Sequence, residues 1–147
     1  MIERLKVLAY ITRSNRLLVF TQPESPEAGI QVPGGTVESS EAVEDAALRE
    51  AIEESGLAEL RLGIFLGDLY YTDLNLNEIR HVHFFHIWCD EEPPTTWRHY
   101  EFTASDRPAN HEPIPLDFFW LDLTGERPPL IGYQGYCIPK LTDYLGL

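Results

Sequence analysis

The chain has 147 residues and a formal charge of −13, with 44% hydrophobic and 12% aromatic residues. That length suits one domain with a real core, and the composition is globular, not disordered. No apolar run reaches the roughly 18 residues of a membrane span. The acidic balance argues against a nucleic-acid polymer as partner, because such affinity comes largely from Lys and Arg on phosphates.

The opening stretch, MIERLKVLAYITRSNRLLVF, alternates like a strand and has no small-residue cleavage site after it, so it is not read as a signal peptide. RLKVLAYITR and RLLVFTQ predict two strands turning at Ser14-Asn15. PESPEAG predicts a loop and IQVP a short strand ending at Pro33. Residues 40–55 predict a helix, with Ser40 as its cap, Glu41, Glu44 and Asp45 near its positive end, and Gly56 as a left-handed stop. LRLGIFLGDLYYTD and EIRHVHFFHIWCD predict two long strands joined near Leu74–Asn77. PPTTWRHYEF starts another, ASDRPANHEPIP reads as a polar loop, DFFWLDL as a strand, and GYQGYCIPKLTDYL holds a short terminal helix. No repeat, low-complexity tract or linker divides the chain, so residues 1–147 are expected to form a single α+β domain around a mixed sheet. Cys89 and Cys137 lie far apart and form no C-x-x-C, which suits a reduced, cytoplasmic protein, with Cys89 a buried thiol.

The charge is concentrated. Between Glu38 and Glu54 stand seven acids and one base, Arg49, leaving −6 in that segment alone. On a helix Glu50, Glu53 and Glu54 fall within about 100° of one another. Ala47, Leu48, Ala51 and Ile52 form a different stripe that can pack on a sheet. Clustered carboxylates repel unless some protonate or cations bind, and oxygen-only ligands suit hard ions such as Mg²⁺ or Mn²⁺. Gly34-Gly35 offers bare backbone just upstream. The alternative is a solvated acidic face, the usual fate of a charge run on a helix.

The spacing speaks to that choice. Gly35 is followed after five residues by Glu41, then after seven by Arg49-Glu50-Ala51-Ile52-Glu53-Glu54-Ser55-Gly56-Leu57. This resembles the Nudix box, G-x5-E-x7-R-E-U-x-E-E-x-G-U with U aliphatic. Every fixed position is matched, with Ala51 a small residue at the first U, and the box spans 23 of the 147 residues.

The resemblance implies an α/β/α sandwich with a central mixed sheet, and cleavage of pyrophosphate bonds in nucleoside diphosphates linked to another moiety. It implies Glu53 and Glu54 as principal metal ligands, Glu50 as a further ligand or the base, the Gly34 carbonyl as part of the metal shell, and Arg49 holding Glu53. The catalytic set is then Glu50, Glu53 and Arg49, and the cofactor Mg²⁺ or Mn²⁺. Glu41 sits off the metal face in a structural role. Many members use a further glutamate outside the box, for which Glu112 and Glu101 are the candidates.

The chemistry agrees, since divalent cations neutralise phosphate oxygens and acidify a bound water while a carboxylate accepts its proton. No Walker-type loop or H-E-x-x-H competes. For the small-molecule nucleotide substrate, Tyr70, Tyr71 and Trp97 could stack on a base, although core or sheet surface is the ordinary place for such rings. Arg80 could reach a phosphate or stay solvated. His81 and His83 share one strand face and His86 the other. H-x-H can bind zinc, but no third ligand is evident in the sequence, which favours a polar sheet face toward the substrate, with His83 as a contact.

Thr72 stands where relatives specific for ADP-ribose tend to carry proline, and Tyr70-Tyr71 come slightly early for the tyrosine of dinucleoside polyphosphate hydrolases. The expected substrate is therefore a nucleoside triphosphate or a dinucleoside polyphosphate. The near-minimal chain has little left for a second lobe, which a homodimer could supply. A nucleotide-sensing module without catalysis is the other function class, disfavoured because such proteins usually lose box carboxylates.

Overall fold

The structure is a computed structural model, described here for residues 1–102 and 112–147. Strands β1 (Ile2–Arg13) and β2 (Arg16–Thr21) form the expected hairpin, with Ser14 in the left-handed region at φ 54°. β3 is Gly34–Thr36, α1 is Val43–Ser55, β4 is Leu60–Asp73 and β5 is Glu78–Cys89. β6 (Trp97–Glu101), β7 (Ile114–Asp122) and α2 (Ile138–Leu145) complete the chain, with single 3-10 turns at Pro26–Ala28 and Gly132–Gly135.

The seven strands form one sheet in the order β4-β5-β1-β2-β7-β6, with β3 on β1. β1 and β5 run parallel from Ile2 opposite Glu78 to Thr12 opposite Trp88, and the other pairs are antiparallel. β1 lends its other edge to both β3, at Lys6–Leu8, and β2, at Thr12–Arg13. The centre of β1 is therefore buried on both faces, as a run of Val7, Leu8, Ala9, Tyr10 and Ile11 requires. Val7, Ala9, Ile11, Phe85 and Ile87 pack with Ala46, Ala47 and Ala51 of α1. Leu8, Tyr10, Val82 and Phe84 pack with Ile138 and Leu141 of α2 on the opposite face. A helix on each side of a mixed sheet is the α/β/α sandwich that the resemblance implied.

Four local expectations change. α1 starts at Val43 with Ala42 at its cap position and no side-chain cap bond, while Ser40 is left-handed at φ 66° and does not cap. Glu44 and Asp45 lie in the first turn, where negative charge suits the helix dipole. IQVP makes only the bridge between Gln31 and Phe20, and the strand instead follows Pro33, which has no N–H to pair. Ile52, one 100° step beyond Ala51, is 39% exposed, and Glu54 takes its place in the buried stripe. β7 begins at Ile114, ahead of the expected Asp117, and the remainder of the expected polar loop, 104–111, falls outside the described residues. Gly56 stops α1 as expected, at φ 76° with its N–H donating to the Ile52 carbonyl at 2.9 Å. Cys89 and Cys137 are both buried and free. Among the described residues no helix is long and apolar enough to cross a membrane.

Candidate active site

The site forms where β3 runs into α1. Three alanines on the buried face of α1 let the helix lie close to the sheet, which brings Glu50 and Glu54 against the backbone of Gly34-Gly35. The Gly34 N–H donates to Glu54 Oε1 at 2.6 Å. A Cβ on Gly35 would run into the Glu50 carboxylate, and one on Gly34 would strike the Leu8 side chain and the Val7 carbonyl. Both glycines are therefore demanded by close approach, one to a functional carboxylate and one to the neighbouring strand.

Arg49 ties the approach to the helix. Its Nε and Nη2 donate to the two Glu41 oxygens at 2.8 and 2.9 Å, a bidentate pair. Nη2 also donates to the Thr36 carbonyl at 3.2 Å, and Nη1 to Glu50 Oε1 at 2.9 Å and Glu53 Oε2 at 3.3 Å. Arg49 thus reaches Glu53, as expected, but its better bonds go to Glu41 and Glu50. The guanidinium holds the Glu41 carboxyl down at about 2, aided by the Glu38 N–H that Glu41 accepts. Arg49 itself is pushed up by these partners, Glu41 first.

Farther along the helix the balance reverses. Burial pushes Glu50 up to about 7, against the pull of Arg49, with Glu53 and Glu101 adding repulsion. Glu54, buried at 8% exposure, is raised well above the ordinary carboxylate range by burial first, then by a hydrogen bond with Glu101 and its charge. Glu54 and Glu101 therefore stand as neighbouring carboxyls, an arrangement that disfavours charge on Glu54. The donor set fits a hard divalent cation: oxygen-only, on a glycine cradle, with buried carboxyls that a cation would neutralise. Glu53 stands apart as the exposed member, its carboxylate taken by Arg49.

The remaining candidates divide by sheet face. Val7 packs under α1 and pairs with His83, so His83, His81, Asp68 and Tyr70 share the α1 face. Tyr70 is 65% exposed and stacks on His81, with centroids 4.1 Å apart and planes at 10°. Tyr71 and Arg80 project from the other face, against Tyr133, and Arg80 pairs with Glu78 and Asp73. Strand alternation takes both away from the glutamates, so the expected base and phosphate contacts at these positions are not brought to the site.

Trp97 donates its indole N–H to the Ser55 carbonyl at 2.9 Å and stacks on Phe118, a structural prop under the end of α1. Glu112 is exposed and has no contact with the cluster among the described residues, whereas Glu101 joins it. The sequence reading missed Asp68, whose Oδ2 lies 2.6 Å from His81 Nε2. The signal existed: the expected turn at Leu74–Asn77 pairs Asp73 with Glu78 and, counting outward, Asp68 with His83.

The chain matches the family described as the NUDIX domain over residues 3–122. It belongs to that family, a class of hydrolases acting on phosphoric anhydride bonds. Among solved structures, a MutT NUDIX hydrolase from Burkholderia pseudomallei superposes with a TM-score of 0.69 at 24% identity, over 97% of this chain and 100% of that one. A UDP-X diphosphatase gives a TM-score of 0.66 at 15% identity, covering 99% of this chain and 64% of that one. A MutT protein from Methanosarcina mazei Go1 gives 0.63 at 16% identity, covering 99% and 96%. At these identities the likeness establishes the fold. Comparison with curated proteins finds no match.

Proposed function

We propose that the chain is a metal-dependent pyrophosphohydrolase acting on a nucleoside diphosphate linked to another moiety, with a nucleoside triphosphate or a dinucleoside polyphosphate as substrate. The observation that carries this reading is the close approach of Glu50 and the buried Glu54 to the Gly34-Gly35 backbone, with Glu101 beside Glu54. Glu50, Glu53, Glu54 and the Gly34 carbonyl are the proposed ligands for Mg²⁺ or Mn²⁺, with Glu101 as the acid from outside the box. A divalent cation held there supplies neutralisation of the phosphate oxygens and a more acidic bound water.

This chain's own residues do the positioning. Arg49 fixes Glu50 and Glu53 through hydrogen bonds, while Glu41 and Thr36 anchor Arg49 in turn. Glu50, which burial pushes up to about 7 in the metal-free protein, is proposed as a further ligand or, where it does not ligate, as the proton acceptor for the attacking water. Tyr70, exposed on the α1 face, is the proposed contact for the base. Thr72 in place of the ADP-ribose proline supports the substrate choice.

Turnover of ATP, a diadenosine polyphosphate, ADP-ribose, NADH and a UDP-sugar at equal concentration, with and without millimolar Mg²⁺ or Mn²⁺, tests the reading. The expected result is cation-dependent cleavage with the first two preferred. Absence of cation-dependent turnover on every compound overturns it, and a kcat/KM tenfold higher for ADP-ribose or NADH, about 1.4 kcal/mol, overturns the substrate choice.

A further inference from the structure

We propose that Asp68, His81 and His83 form a second metal site, one for a transition-metal cation such as Zn²⁺, on the α1 face of the sheet and separate from the glutamates of α1. One ligand atom from each residue lies within 4.8 Å of the other two. Zinc sits about 2.0–2.2 Å from nitrogen and oxygen donors, so it spans donors up to roughly 4 Å apart. Closing the set therefore asks for less than about an ångström of side-chain movement.

The donor chemistry separates this site from the first. Two imidazoles and a carboxylate suit Zn²⁺ and its neighbours, whereas an oxygen-only set suits Mg²⁺. Three protein ligands leave coordination positions open.

The three residues stand on paired strands of one sheet, which fixes their spacing. Asp68 is the cross-strand partner of His83, and Tyr70 that of His81. His81 and His83 alternate onto the same face, with ring centroids 4.2 Å apart. Tyr70 lies flat on His81, and Phe65 packs beside His83 with centroids 5.9 Å apart. An ion pair between His81 and Asp68 would account for two of the residues. It leaves out His83, whose Nδ1 is buried without a well-formed hydrogen bond although the backbone of His81 and Lys6 lies close to the ring. A second imidazole ring nitrogen beside the His81–Asp68 pair completes a three-donor set that the ion pair alone does not require.

Separation from the glutamates follows from the sheet. Gly35 pairs with Val7 and Val7 with His83, so His83 lies two strands from Gly35, roughly 10 Å at the usual strand spacing. The two sites share a face of the sheet and no ligand. The site stands whether or not the glutamates turn over a pyrophosphate.

Zn²⁺ titrated into the intact chain in millimolar Mg²⁺, followed by calorimetry and by metal analysis after dialysis, tests this, with circular dichroism to show that each variant is folded. The expected result is one Zn²⁺ per chain at micromolar affinity, kept in Glu50→Gln and Glu54→Gln. His81→Gln, His83→Gln and Asp68→Asn should each weaken it by more than the roughly 10–100-fold that loss of a mere outer partner costs. Co²⁺ in place of Zn²⁺ should give visible absorption bands that vanish in the same three variants. No Zn²⁺ retained by the folded wild type, or retention unchanged in those three, overturns the site. Loss of Zn²⁺ in Glu50→Gln or Glu54→Gln also overturns it, by assigning the ion to the glutamates.

Discussion

Glu41 precedes α1 and Glu54 lies in its last turn, both on the same acidic segment, yet they are opposite kinds of group. Glu41 meets a guanidinium in a bidentate pair and its carboxyl is held at about 2. Glu54 meets another carboxyl and a single backbone N–H in a buried pocket, and is driven upward. The first end of the segment is already neutralised by protein and the second is not. That difference marks where a cation has something to do: one pair builds the loop, and the other waits for charge from outside.

The change expected to break this contrast most strongly is Glu54→Gln. It should cut cation-dependent turnover by about 10²–10⁴-fold, while the metal-free protein melts no lower than wild type, because Gln needs no proton to be buried. Near-normal kcat/KM for this variant would mean that the buried carboxyl is only structural.

The two glycines sharpen the contrast next. Gly35→Ala displaces the mobile end of Glu50, so turnover should fall by up to about 10²-fold, the scale of an ångström of misplacement, with the melting temperature nearly unchanged. Gly34→Ala meets the backbone of Val7 and should instead destabilise the fold by about 1–3 kcal/mol. Urea unfolding and turnover measured on both variants check this, and equal losses of stability would refute it.

Arg49→Met should remove the hub. Hydrogen bonds to charged groups contribute about 1.5–3 kcal/mol when broken, and a stability loss of that order is expected in urea. Arg49 also opposes the rise of Glu50, so in the metal-free variant the loss of stability with rising pH should move to higher pH.

A pH titration of metal-free stability reads Glu50 directly. Its folded value of about 7 lies above the ordinary 4.5, so the folded state holds the extra proton between them. The stabilisation is full below pH 4.5 and is lost as pH rises through 7. His86 runs the other way: buried and bonded to Thr12, it is pushed down to about 4, so stability falls as pH drops from 6.5 toward 4. The difference between Glu50→Gln and wild type isolates the first effect. It should grow in favour of the variant from pH 4.5 to 7 in chelator, and Mg²⁺ at 100 times its dissociation constant should return about 2.7 kcal/mol to wild type.

Glu41→Gln carries the smallest effect. A loss of about 0.2–1 kcal/mol is expected for a pair near the surface, with turnover changed only a few-fold. Because Glu41 is depressed, its contribution is present above pH 4.5 and disappears as pH falls through about 2. Thermal melts of both proteins across that range would show the gap close.

Much of this was open to reading along the chain. The box spacing placed Glu50, Glu53 and Glu54 on one side of a helix that does form, and Gly56 ended it as its lack of a side chain allows. The strand pair around residues 74–77 was expected, and its register follows by counting. Parity along β5 puts His81 and His83 together on one face and Arg80 on the other. Ser40 and Ile52 were misplaced because helix starts and buried stripes depend on how α1 meets the sheet.

What the sequence determined by itself is therefore periodic and local: which side chains share a helix face or a strand face, where glycine permits a turn, and how much negative charge one segment carries. What only the tertiary structure decided is which of those charges loses its water. Glu41 and Glu54 are the same residue type thirteen positions apart, and no pattern along the chain says that one will find Arg49 and the other Glu101. Glu41 finds its partner eight residues on, within α1, whereas the neighbour that desolvates and opposes Glu54 comes from a distant strand and is there only once β6 lies beside the end of α1.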